Sequence, residues 1–154
     1  MSIMKINREH EIHCGHRVVG HEGKCRNLHG HGYVIHFTCE ADNGKLDNVG
    51  RVIDFGEVKS KLCMWLEDHW DHKFIVWEKD YELLTIANES INGRLQCGSV
   101  INNSFVFVPF NPTAENMAQY LVDVIGPQQL NGTGITLTSV TIEETRKCSV
   151  SYGN

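Results

Sequence analysis

Proline is scarce, with three residues at positions 109, 112 and 127. No stretch gathers Pro, Gly and Ser into a linker, no segment repeats and none is of low complexity, so a single domain over residues 1–154 is the expectation. No apolar run approaches the roughly 20 residues that a membrane helix needs. The opening segment, 1–17, has no apolar core and no small-residue cleavage site, so no secretory leader is expected. Positive charge is also short. Fourteen Lys and Arg face nineteen Asp and Glu, for a formal net charge of -5, and a nucleic-acid backbone wants the opposite balance. There is no C-x-x-C. The six cysteines stand far apart at 14, 25, 39, 63, 97 and 148. That spacing without a leader argues for reduced thiols in a cytoplasmic protein rather than a disulfide framework, and it excludes a zinc finger.

What remains is ordinary in bulk and unusual in one respect. With 41% hydrophobic and 21% charged residues the chain matches globular usage. At this length it buries roughly 70% of its unfolded surface. Histidine is the exception: His10, His13, His16, His21, His29 and His31 fall within the first 31 positions, out of nine in all.

The hydrophobic pattern predicts an α+β fold. Ile12, Cys14, His16 and Val18 alternate, which predicts a strand over 11–18. A charged, Gly-containing loop leads to a second strand over 29–41. Asp42-Asn43-Gly44 reads as a type I′ hairpin turn, with a third strand over 45–53. Asp54 caps a helix, with Glu57 as its capping-box partner. Its apolar stripe is Phe55, Val58, Leu62, Trp65, Leu66 and His69. A short helix is expected over 80–88, a turn at Asn92-Gly93 and a short buried strand over 105–110. Thr113 caps a second long helix to about Gln129, and strands follow over 135–144 and 148–152. Strands, helix, strand, helix, strands is the order of a mostly antiparallel α+β sheet.

His29-Gly30-His31 is the sharpest local feature. On a strand the two imidazoles point the same way, and the glycine between them admits a close neighbour. His16, on the inward parity of its own strand, is a third candidate. Three neutral imidazoles suit Zn2+ and leave a fourth position open, the mark of a catalytic site; a surface His-x-His pair without metal is the other reading. His10 and His13 read as solvated or structural, His21 as a loop residue, and His36 as facing away from the site. Cys25 lies between Lys24 and Arg26, neighbours that favour a thiolate able to act as base or nucleophile; a loop cysteine of no consequence is the alternative. Cys14, Cys39 and Cys63 read as core. Asp71-His72 can pair a carboxylate with an imidazole, or simply be a solvated helix exit. Glu144 shares the inward parity of Val140 and Ile142 and can accept two N–H bonds from a heterocycle. A one-residue shift would put Glu143 there instead.

Six ordered blocks carry a resemblance. They are Ile12-His13-Cys14-Gly15-His16-Arg17, Cys25-Arg26-Asn27-Leu28-His29-Gly30-His31-Gly32-Tyr33, Val52-Ile53-Asp54-Phe55-Gly56, Asp71-His72-Lys73, Pro112-Thr113-Ala114-Glu115-Asn116 and Ile142-Glu143-Glu144-Thr145. Together they resemble the 6-pyruvoyltetrahydropterin synthase / 6-carboxytetrahydropterin synthase family over about residues 10–152. The three-residue spacer between Cys25 and His29 is similar to the bacterial 6-carboxytetrahydropterin type.

The resemblance implies a tunnelling fold, with a four-stranded antiparallel sheet and two helices on one face. It also implies a homohexamer, a dimer of trimers with intersubunit sites. The implied activity is that of a zinc-dependent lyase in queuosine biosynthesis. It would convert 7,8-dihydroneopterin triphosphate to 6-carboxy-5,6,7,8-tetrahydropterin, acetaldehyde and triphosphate. The alternatives are the 6-pyruvoyl reaction, which stops at triphosphate elimination, and a non-catalytic zinc-binding assembly protein. By the same resemblance His16, His29 and His31 hold one Zn2+ per subunit, and Cys25 is the catalytic thiol. Asp71 and His72 complete a proton relay from a neighbouring subunit. Glu144 anchors the pterin with help from the backbone around Thr113, and Glu115 is a secondary substrate residue or a helix N-terminal charge. Independently of the resemblance, Arg17, Lys24 and Arg26 make their loop locally basic on an acidic chain, able to attract the triphosphate; a solvated surface is the other reading. The sequence departs from the family pattern in Phe74-Ile75-Val76, where Leu-Asn is common, and in the long 77–100 stretch.

Overall fold

A computed structural model describes residues 2–91 and 98–154. Cys97 and the expected turn at Asn92-Gly93 lie outside the described residues. Six strands form one sheet: β1 (Lys5–His16), β2 (His29–Ala41), β3 (Phe74–Trp77), β4 (Phe105–Val108), β5 (Ile135–Thr145) and β6 (Cys148–Gly153), in the order β4-β3-β1-β2-β5-β6. The segment β1-β2-β5-β6 is the expected four-stranded antiparallel sheet. The expectation stops short at the β1 edge. There β3 pairs parallel to β1 and β4 parallel to β3, giving a mixed six-stranded sheet. Added strands cover an edge that would otherwise expose a row of unpaired backbone groups.

The strand expected over 45–53 is absent among the described residues. Gly44 N–H bonds Ala41 C=O, so the chain does turn at Asp42-Asn43. Asn43 keeps a negative φ, however, and only Gly44 is left-handed (φ 67°). A type I′ turn needs both central residues positive. The following residues are instead held by local bonds: Asp47 accepts from the Val49 and Arg51 N–H groups, and Arg51 pairs with Asp47 and Asp54. No strand partner remains for them, and β2 pairs with β5.

The first long helix runs as α1 (Phe55–Val58), a π-helical turn (Lys59–Cys63) and α2 (Met64–His69), with Asp54 Oδ1 accepting from Gly56 N–H at 2.7 Å. The π turn shifts the phase of the apolar stripe. Val58, Leu62 and Leu66 are buried as expected, but Phe55 and His69 are exposed, and Trp70 takes the inward place. The inserted region carries α3 (Tyr81–Ile91) and α4 (Gly98–Ser104). The second long helix is α5 (Ala114–Tyr120), a π turn (Leu121–Ile125) and α6 (Gly126–Gln129). Both long helices cover one face of the sheet. There Met117, Leu121, Leu62 and Leu66 pack with Ile12, Tyr33, Ile35, Phe37, Val140 and Ile142 in one core. Cys14, Cys39 and Cys63 belong to that core. Among the described residues no helix is long and apolar enough to cross a membrane.

The β1–β2 register positions the site. Ile12 sits opposite Tyr33, Cys14 opposite His31, and His16 opposite His29, with Gly15 facing Gly30 between them. A side chain on Gly30 would bring its Cβ to 2.8 Å from the Cys14 carbonyl, which is backbone and cannot yield. Gly30→Ala is therefore expected to cost about 1–3 kcal/mol of overpacking in urea unfolding of the metal-free protein. A loss below about 0.5 kcal/mol, the usual range for surface changes, would contradict the close approach.

Candidate functional site

The register brings three imidazoles from two strands onto the inner face. Ring centroids are 4.6 Å apart for His16 and His29, 5.2 Å for His16 and His31, and 5.0 Å for His29 and His31. One nitrogen from each lies within 4.8 Å of the others. The free valences are set by the backbone. His16 Nδ1–H donates to the Pro112 carbonyl at 2.6 Å and His29 Nδ1–H to the Asn27 carbonyl at 2.7 Å. His29 therefore keeps its Nε2 lone pair free for a ligand, the outer-shell arrangement usual around metal-binding histidines, whereas His16 Nε2 lies 3.2 Å from the Tyr33 hydroxyl, a contact that a bound metal would replace. His29 Nε2 and His31 Nε2 are buried with no hydrogen-bond partner. Buried polar atoms without partners are costly, and a metal shared by the three rings removes that cost. Tyr33, fully buried, packs edge-on against His16 and His31 from below.

Burial disfavours the charged form of two of the rings, His16 and His31. His16 is pushed down from 6.5 to about 4, chiefly by burial and with help from the neighbouring His29 and His31; the Pro112 carbonyl works in the opposite sense. His31 is likewise lowered by burial, against the upward pull of Glu144. Neutral imidazole is the ligating form, so both shifts favour metal binding.

Glu144 lies where parity indicated. In the β5–β6 pairing Glu143 faces Ser149 and Thr145 faces Cys148, leaving Glu144 as the extra residue of a bulge. Bulges re-aim side chains. Glu144 Oε1 comes 3.6 Å from His31 Nε2, adjacent but not hydrogen-bonded. Glu143 points to the other face, where it binds His36 Nε2 at 3.0 Å, so His36 does face away from the site. Beside Glu144, a cavity of about 250 Å³ is lined by Cys25, His21, Thr113, Glu115, Glu144 and Cys148, among others. Thus Cys25, Thr113, Glu115 and Glu144 share one cavity. Cys25 rides on a short 3-10 turn, Lys24–Arg26, and is half-buried. Thr113 Oγ1 caps α5 by accepting from Asn116 N–H.

Asp71 and His72 are in contact with each other but lie elsewhere. His72 has a left-handed backbone (φ 56°), uncommon for a non-glycine residue. That turn lets its Nδ1–H reach the adjacent Asp71 Oδ2 at 2.7 Å. Burial would raise the Asp71 carboxyl, but the His13 N–H and His72 outweigh it and hold it below the usual range. His72 is exposed and lines a second, larger trough of about 760 Å³. That trough runs over Gly15, Gly30 and Gly32 between β1 and β2, and His29 and His31 line it together with His72. Among the described residues of one chain, His72 lines this trough without Cys25, and Cys25 lines its own cavity without Asp71 or His72. His13 contributes mainly backbone here, and His10 binds Glu67 at 2.7 Å.

The basic-loop reading needs correction. Arg17 is not available for an anionic ligand. It makes a bidentate pair with the buried Asp80 at 2.6 and 2.7 Å, at the start of α3. Removing one partner of such a pair strands the other and costs about 3–5 kcal/mol. Asp80 was not legible as a partner, since its 63-residue separation from Arg17 leaves no local pattern.

The His16 shift carries a pH signature. An unfolded histidine near 6.5 protonates while the folded ring, near 4, does not. The unfolded state then binds more protons, so stability of the metal-free protein falls as pH drops through that window. A displacement from 6.5 to about 4 corresponds to about 3 kcal/mol. Urea unfolding between pH 7 and 4 is expected to show that extra loss in the native chain and not in His16→Gln. Equal pH profiles would contradict a buried neutral His16.

Comparison with known proteins agrees with this geometry. The family model described as 6-pyruvoyl tetrahydropterin synthase matches residues 5–154. A Rickettsia felis protein named 6-carboxy-5,6,7,8-tetrahydropterin synthase is 33% identical over 148 residues, covering 96% of this chain and 99% of the relative. A Haemophilus influenzae protein of the same name is 33% identical over 120 residues, 77% of this chain and 79% of its own length. A crystal structure of an uncharacterised Wolinella succinogenes protein superposes with a TM-score of 0.85 at 25% identity, covering 100% of this chain and 99% of that one. The Caenorhabditis elegans 6-pyruvoyl tetrahydropterin synthase shares the fold at a TM-score of 0.65 and 23% identity, covering 100% and 97%. With its matched span running through all six strands, this chain belongs to the 6-pyruvoyl tetrahydropterin synthase family.

Proposed function

We propose that this protein is a zinc-dependent 6-carboxy-5,6,7,8-tetrahydropterin synthase. It acts on 7,8-dihydroneopterin triphosphate and releases acetaldehyde and triphosphate, on the route to queuosine in the cytoplasm. The observation that carries the reading is the convergence of His16, His29 and His31 with two buried, unpartnered Nε2 atoms beside the cavity of Cys25 and Glu144. The names of the curated relatives point to the same activity.

His16, His29 and His31 would hold the metal. A zinc ion there supplies Lewis acidity toward the hydroxyl oxygens of the substrate side chain. Glu144 accepts N–H bonds from the pterin ring, and its nearness to His31 keeps the ring's side chain beside the metal ligands. The first turn of α5, with Thr113 and Glu115, forms the wall next to it. Cys25, as thiolate, takes and returns protons on the substrate side chain. Asp71 orients His72 through the 2.7 Å bond. Because that pair opens on the glycine face of the sheet, a neighbouring subunit is its route to a Cys25 cavity, which supports a homohexamer with shared sites.

The test is direct. The zinc-loaded protein, mixed with 7,8-dihydroneopterin triphosphate, is expected to yield acetaldehyde and a product with the mass of 6-carboxytetrahydropterin. Cys25→Ala should keep its metal and lose about 10²–10⁴ in rate, the usual contribution of a positioned acid–base group. A pyruvoyl product without acetaldehyde would reassign the reaction to triphosphate elimination alone. Unchanged turnover in Cys25→Ala would remove the thiol from the chemistry, and no turnover by metal-bound native protein would leave a non-catalytic zinc binder.

A further inference from the structure

Residues 17–28 carry Cys25 yet belong to no strand, so the cysteine's position depends on what ties this loop down. At its base Arg17 is held by Asp80. Further out, the tie comes from residue 111. The Asn111 side chain bridges both backbone groups of Val19: Nδ2–H donates to the Val19 carbonyl at 2.9 Å, and Oδ1 accepts from the Val19 N–H at 3.0 Å. A side-chain amide thus stands in for one rung of a strand ladder. The next residue inward, Val18, donates its N–H to the Cys25 carbonyl at 2.8 Å.

Asn111 is itself fixed. Its carbonyl accepts from the Thr113 N–H at 2.7 Å and from Asn116 Nδ2 at 2.9 Å. The adjoining Pro112 carbonyl accepts from His16 Nδ1 at 2.6 Å. Three consecutive residues therefore join a metal-facing histidine, the first turn of α5 and the loop of Cys25. The Asn111 side chain does not line the Cys25 cavity, so it acts through Val19.

We propose that Asn111 is a positioning residue, whose two-point hold on Val19 keeps the Cys25 thiol in register with Glu144 and the three histidines. The proposal rests on the reading of Cys25 as the working thiol. It separates from the metal ligands, because His16 is held by the Pro112 backbone, which a change of the Asn111 side chain leaves in place. A displacement of about 1 Å at a reacting group costs on the order of 100-fold in rate.

The experiment uses zinc-loaded Asn111→Ala and measures four quantities. These are kcat and KM for the pterin triphosphate, zinc content, unfolding temperature, and the rate and pH profile of Cys25 alkylation by iodoacetamide, read peptide by peptide because Cys148 is also exposed. The expected result is a kcat lower by about 10–100-fold, with KM within a few fold and zinc at native stoichiometry. Cys25 alkylation should be several-fold faster than in the native protein. Asn111→Ser, too short to bridge both Val19 groups, is read the same way should Asn111→Ala fail to fold. A folded variant with native kcat and native Cys25 alkylation would overturn the proposal. A rate loss that follows only lost zinc or lowered unfolding temperature, with Cys25 alkylation unchanged, would overturn it too. If the native protein shows no turnover at all, the proposed function fails while the alkylation comparison still decides the clamp.

Discussion

One pairing underlies the site: His16 opposite His29 in the antiparallel ladder of β1 and β2. Side chains alternate across a sheet, so this register alone puts His16, His29 and His31 on one face, with Ile12 and Tyr33 beneath them. A slip of one residue would turn His16 outward and Gly15 inward. Gly15 and Gly30 support the register from the opposite face. Phe74 packs where a Gly15 side chain would go, and the Cys14 carbonyl packs where a Gly30 side chain would go. The same residues that fold the strands together therefore locate the ligands.

Around that pairing, backbone groups do the orienting. Two carbonyls, from Pro112 and Asn27, each take the Nδ1–H of an imidazole and turn its Nε2 toward the other rings. Burial disfavours protonation of His16 and His31, so their lone pairs stay available to a metal. The bulge at Glu144 brings a carboxylate close to a ligand ring. The result is an imidazole cluster flanked by an acid and a thiol, an arrangement suited to a divalent metal and a polar heterocycle.

Much of this was readable from residue order. Alternation in β1 and β2 identified the histidine face, and the parity of Val140, Ile142 and Glu144 separated Glu144 from Glu143. Asp54 and Thr113 announced the helix starts through capping chemistry. What escaped has a physical reason in each instance. The parallel pairing of β3 and β4 at the β1 edge is set by tertiary contact between short apolar segments separated along the chain by α3 and α4, which no local pattern reveals. The strand expected over 45–53 lost to local Asp47–Arg51 bonding. The π turn displaced His69 from the buried stripe, since a phase shift leaves no mark in a 3.6-residue pattern, and Phe55, ahead of that turn at the first helical position, is exposed. Arg17 resembled a free cation because its partner, Asp80, is far along the chain. The Pro112 carbonyl and the Asn111 amide act through backbone geometry, which residue identity alone does not reveal.

X-ray absorption at the zinc edge of the metal-loaded protein reads the ligand set itself. One zinc per chain should show three imidazole nitrogens at about 2.0–2.1 Å and a single exchangeable oxygen. His29→Gln should lower the nitrogen count. A sulfur scatterer, a fourth protein ligand closing the site, or zinc bound equally well without His29 would contradict the three-histidine centre on which this account stands.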